Sequence, residues 1–161
     1  MTSSAPEPHQ PVRPSAALAY AVVGFIALLI AGLGVASLLL DADVIGVEGL
    51  GAMPGVAGAT AATALFAAAV WAAVRAVRPS YVAAAAAAPA AFVGYLGGVW
   101  IGALVTGTDL ARASAAVGGF ATSPFAIVLL LAAFVSAWVA VALVRTRARR
   151  PRWPWESDDE P

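Results

Sequence analysis

The sequence contains no cysteine, no lysine and no asparagine, and only 11% of its 161 residues are charged. Without cysteine there is no disulfide, no thiolate nucleophile and no thiolate metal site. A quinone-linked thiol oxidoreductase, which needs cysteines, is excluded on the same ground. The charge content is well under half the roughly one quarter of an average soluble domain. Hydrophobic residues make up 61% of the chain, more apolar surface than a core of this size could hide from water. The absence of lysine and asparagine beside abundant alanine, glycine, arginine and proline points to GC-rich coding and hence to a bacterial source.

What is there is four apolar runs without a charge, at about residues 16–40, 50–74, 81–105 and 124–144. Each meets the requirement of about 20 residues, at 1.5 Å rise per residue, for crossing a hydrocarbon layer about 30 Å thick. The runs are continuously apolar, whereas barrel strands would alternate over about ten residues, so helices are expected. The expected fold is all-α: a polytopic membrane protein whose residues 15–144 form a four-helix transmembrane bundle. "VAS" at Val35–Ser37 has the small-residue spacing of a signal-peptidase site. The apolar region before it exceeds the usual 7 to 15 or so residues, so an uncleaved first span is expected.

All nine basic residues are arginine. Arg13 precedes the first run, Arg75 and Arg78 lie between the second and third, and Arg145, Arg147, Arg149, Arg150 and Arg152 follow the fourth. Short arginine-bearing loops stay in the cytoplasm. Both termini are therefore expected inside a bacterial inner membrane, with Asp41, Asp43 and Glu48 in one outer loop and Asp109 and Arg112 in the other. Ser15, Ser80 and Ser123 are candidate helix caps, with Pro54 and Pro124 at first-turn positions. Thr108 is the candidate cap of a short surface helix within Thr106–Ser123, which otherwise reads as a plain loop.

The third run holds "GYLGGVWIG", with Gly94, Gly98 and Gly102 one helical turn apart. Glycine is costly in a helix exposed to water. In lipid, where apolar surface gives helices no reason to associate, small residues let backbones approach. Stepping back by four gives Ala90 and Ala86, so the helix-packing face is Ala86, Ala90, Gly94, Gly98 and Gly102. Phe92, Tyr95, Leu96, Val99 and Trp100 form the bulky opposite side. The second run is the best internal partner: Gly51, Gly55, Gly58, Ala62 and Ala69 are small, and Thr60 and Thr63 can donate across a contact. A second subunit is the other candidate. Pro89 should free the carbonyl of Ala85 and kink the third span.

No catalytic constellation, cofactor site or metal site is legible. The three outer carboxylates read as a solvated loop, His9 as a solvated side chain in a disordered cytoplasmic segment, residues 1–14. "GLG" at Gly32–Gly34 lies inside a span and lacks the context of a nucleotide loop. An ion-coupled carrier places a charge in the membrane. The chain therefore differs from the small multidrug exporters, whose first helix carries a glutamate.

The cytoplasmic tail, residues 145–161, reads "RTRARRPRWPWESDDEP". Its arginines suit anionic lipid headgroups, worth about 1 kcal/mol each near the surface. Trp153 and Trp155 suit the lipid interface or a docking partner. The adjoining acids cancel the basic field and argue against nucleic acid. With "RPRWPWE" as its most particular segment, the layout resembles the uncharacterised small four-span integral membrane proteins of high-GC actinobacteria. That resemblance implies no activity. The expected role is a non-enzymatic membrane assembly or accessory subunit, meeting a membrane protein partner or itself through the third span and the tail. The alternative is a channel or transporter component built as a homo-oligomer.

Overall fold

The sequence segments rich in alanine, leucine and valine fold as helices, and the computed structural model describes residues 13–46, 50–76 and 80–145. His9, Glu48, Arg78 and the tail positions Arg147, Arg149, Arg150, Arg152, Trp153 and Trp155 lie outside the described residues. The elements are α1 (Pro14–Leu40), α2 (Met53–Arg75), α3 (Tyr81–Ala85), α4 (Ala87–Val105), α5 (Leu110–Ala121) and α6 (Pro124–Arg145). Four stretches are long and apolar enough to cross a membrane: α1, α2, α3 with α4, and α6.

Local chemistry explains the boundaries. α1 starts with Pro14 in its first turn and Arg13 as the cap residue, so Ser15 is already helical and does not cap. Proline fits there because the first amides have no helical acceptor. α1 ends at Asp41, whose left-handed φ of 47° is accessible to aspartate and whose amide returns to the Ser37 carbonyl. α2 begins at Met53 rather than Leu50, after Gly51 has turned the chain at φ 67° and with Pro54 in the first turn. The Ser80 hydroxyl accepts from the Ala83 amide at 3.1 Å and caps α3. Pro89 has no amide to return to Ala85, and the third span breaks into α3 and α4 at Ala86. The ladder restarts with Ala90 N–H donating to the Ala86 carbonyl at 3.2 Å.

The segment after the third span forms a helix. α5 is capped by Asp109, not Thr108: the Asp109 carboxylate accepts from the Arg112 amide at 3.0 Å and pairs with its guanidinium at 3.5 Å. The Ser123 hydroxyl points back to the end of α5, donating to the Phe120 carbonyl at 2.7 Å.

Helix pairing is antiparallel. α2 and α4 make the most extensive contact, and α1 with α6 the next. On α1 and α6, Gly24 faces Ser136 and Gly32 faces Val128. Phe25 and Phe66 stack at 4.4 Å between α1 and α2, both fully buried. The outer surface is apolar: Ile30, Leu38, Val82, Val93 and Ile127 are exposed, Leu38 at 84%. Such a surface suits acyl chains rather than water. With four helices of spanning length, this is the surface of a membrane protein.

A Cβ on Gly32 would lie 2.6 Å from Val128 Cγ1. Gly32→Ala should therefore destabilise the bundle by about 1 kcal/mol of overpacking and so lower its melting temperature in detergent. In a Val128→Ala background the penalty should vanish, which a double-mutant cycle on melting curves would check.

Candidate functional site

Three features of the bundle stand out chemically: the seam between α2 and α4, a cleft at the end remote from Arg13, Arg75 and Arg145, and cation–aromatic pairs at the arginine-bearing end.

The seam is set by glycine. Gly94, Gly98 and Gly102 are buried. A Cβ on Gly94 would come within 2.8 Å of the Ala61 carbonyl oxygen, and one on Gly98 within 2.5 Å of the Ala57 oxygen and 2.7 Å of Gly58 Cα. At Gly102 it would meet Ala57 Cβ at 2.8 Å and Pro54 Cα at 3.0 Å. Four of these five neighbouring atoms are backbone, which has nowhere to move. From the other side, Gly58 admits Val99, whose Cγ2 would lie 2.6 Å from an added Cβ. The face the glycines offer is thus filled by α2 of the same chain.

The stripe does not continue through Ala90 and Ala86. Ala86 is exposed and Ala90 only half-buried, whereas Ala84, Ala87 and Ala91 are buried. A step of four residues advances about 40° beyond a full turn, so a strict four-residue series drifts off the face. The break at Ala86 completes the departure. Nor is the other side of α4 left to lipid: Tyr95 and Val99 are buried, and Tyr95 stacks on Phe120 of α5 at 4.2 Å. Trp100 lies at the edge, its indole N–H donating to the Ser114 hydroxyl at 3.4 Å. On α2, Gly58 and Ala62 are buried, while Gly51 serves the turn before the helix. The Thr60 and Thr63 hydroxyls do not cross the seam: they donate to the Val56 and Ala59 carbonyls of their own helix, each at 2.8 Å.

The cleft has a volume of about 560 Å³. Leu40, Ala42, Asp43 and Val44 wall it on one side, and the second half of α5 with Ser123, Pro124 and Phe125 on the other. Past Leu29, the last buried residue of α1, Gly32, Leu33 and Ala36 are still partly covered, whereas Leu38 and Leu39 are exposed at 84% and 80%, and the cleft lies beside that uncovered end. α5 is held in place by the stacking of Phe120 on Tyr95.

At the arginine-bearing end, the Arg145 guanidinium lies 4.8 Å over the Tyr81 ring. Tyr81 in turn meets Trp138 at 5.2 Å, and Trp138 meets Phe134 edge-on at 5.0 Å. Arg75 lies 5.0 Å over Trp71. Each pair places a cation against an aromatic face, the arrangement that suits a membrane–water boundary. Among the described residues, no group of His, Cys, Asp or Glu is placed to hold a metal ion.

A model of DUF6121, a family of unknown function, matches residues 12–161. The chain belongs to DUF6121. No curated protein and no solved structure matches it. The family match brings no activity, so the reading of this DUF6121 chain rests on its own geometry.

Two features of this DUF6121 bundle escape the sequence reading. The α1–α6 contact uses Gly24 and Gly32, two turns apart on one face, a spacing visible in the sequence but weaker than the run in α4. The cleft depends on where α1 leaves the bundle, and no local pattern signals that.

The seam gives a sharp contrast. Gly98→Leu should prevent close approach of α2 and α4 and cost at least about 3 kcal/mol, the upper range for overpacking. Gly97, with nothing within 4 Å of an added Cβ, should accept alanine without loss. Thermal unfolding of both variants in detergent would check this.

Proposed function

We propose that this chain is a non-enzymatic accessory or assembly subunit of a bacterial inner membrane, with both termini in the cytosol. Its α2–α4 seam is the internal scaffold, and its partner-facing surfaces are the exposed last turn of α1 and the cytoplasmic tail. The observation that carries this reading is the light burial of α1: of its 27 residues, those buried are Ala17, Ala21, Phe25 and Leu29, and its last turn, Leu38 to Leu40, is exposed. A span so lightly held by its own bundle has lateral surface to spare for another membrane helix. A second copy of the chain is the simplest such partner.

The orientation is supported by the distribution of arginine. Arg13, Arg75 and Arg145 belong to the same end of an antiparallel bundle, and the arginine-rich tail extends from it. At that end Arg145 and Arg75 rest on Tyr81 and Trp71, well placed to meet anionic headgroups. Trp153 and Trp155 add an interfacial or docking element. The channel reading has less support, because Thr60 and Thr63 spend their hydroxyls on their own helix rather than on a pathway.

Extraction in a mild detergent followed by native mass measurement tests the role: a defined complex, homomeric or heteromeric, is expected. Replacing Arg147, Arg149, Arg150 and Arg152 with glutamine should strip co-purifying anionic lipid. A monomer with no partner under every mild condition would overturn the proposal. Orientation can be checked separately on the cysteine-free chain, where Asp43→Cys should react with an impermeant maleimide added outside intact cells and Ser157→Cys should not.

A further inference from the structure

The cleft beside the end of α1 has the size of a small-molecule site, for which about 300 to 1,000 Å³ is usual. Its lining is apolar apart from Asp43, Ser123 and the backbone. The Ser123 hydroxyl hydrogen is committed to the Phe120 carbonyl, so the side chain offers the cleft acceptor capacity only. Among the described residues, Asp43, itself exposed, is the one ionisable group in the lining. The basic residue described at this end, Arg112, lies at the start of α5 and is taken up by Asp109 at 3.5 Å. The cleft instead reaches the later turns of α5, at Ala115, Ala116, Gly119 and Phe120. Phe120 and Phe125 supply aromatic surface in the lining.

These features specify an occupant by charge and shape. A ligand that fills the cleft must bury an apolar body against Phe120, Phe125, Leu40 and Val44, and place positive charge by the Asp43 carboxylate. An anion would meet a like charge there. We propose that this cleft binds a protonated amine, an ammonium group carried on an apolar or aromatic body. The chemistry has two sources, a free amine in the medium or the ammonium headgroup of an aminophospholipid. Asp43 supplies the counter-charge, and Leu40 and Val44 with the small exposed parts of Phe120 and Phe125 receive the body. The proposal stands independently of the subunit reading, since it requires neither a partner nor an assembled state.

The test uses the full chain in a neutral maltoside detergent, with phenethylamine at pH 7 as the probe and hydrocinnamate as an anion of similar body. Calorimetric or ligand-observed NMR titration should show saturable binding of the amine and none of the acid. Asp43→Asn should weaken the amine by about tenfold or more, the factor for losing a charge-assisted contact, while its melting curve matches wild type. Asp41→Asn, outside the lining, should bind as wild type. Competition by added phosphatidylethanolamine, but not phosphatidylglycerol, would identify the source as lipid; undiminished binding would identify a free amine. Failure of wild type to saturate, equal binding of hydrocinnamate, or unchanged affinity in Asp43→Asn would overturn the assignment.

Discussion

The close approach of two backbones at Gly98, against Ala57 and Gly58, is the constraint on which the rest of the bundle depends. Inside a bilayer, leucine gains nothing by leaving acyl chains for another helix, and only shape-matched contact and polar pairing hold spans together. Gly94, Gly98 and Gly102 remove the side chains that would keep α4 from α2. Once those backbones touch, dispersion contacts multiply along the seam. Val99 then drops into the space opened by Gly58, and Tyr95 is presented to Phe120. The position of α5, and with it one wall of the cleft, follows from that stacking.

α1 is joined to this scaffold more lightly. Its contact with α6 again relies on glycine, at Gly24 and Gly32, and its contact with α2 centres on Phe25 and Phe66. Beyond Leu29 nothing on α1 is buried. One consequence is a closely packed pair, α2 and α4, flanked by a span whose last turn is exposed. The same exposed end of α1 borders the cleft. Two proposals thus trace back to one geometric fact while making separate chemical demands.

Much of the helical layout was legible because span length and charge depletion are imposed by the bilayer itself. Caps were less so. Ser80 caps as its position suggests, whereas Arg13 stands where Ser15 was expected, because Pro14 in the first turn moves the helix start back. Asp109 displaced Thr108 because its carboxylate reaches the Arg112 amide and also meets its guanidinium. The glycine run was readable as a packing face, but its alanine extension was not. A four-residue repeat drifts around a helix of 3.6 residues per turn, and Pro89 restarts the helix nearby. The threonines looked available for contacts between helices, yet a hydroxyl one turn above its own helix carbonyl satisfies itself locally. The cleft was invisible because it is formed by segments far apart in sequence.

The central claim is that the α2–α4 seam is closed within a single chain. Nitroxide labels at Met53→Cys and Val105→Cys mark adjoining ends of α2 and α4, since the Met53 carbonyl lies 3.6 Å from a Cβ built on Gly102. Spin–spin measurement in lipid nanodiscs should give one short distance that persists when labelled chain is diluted with a large excess of unlabelled chain. A long or broad distance, or a short one that disappears on dilution, would contradict the account.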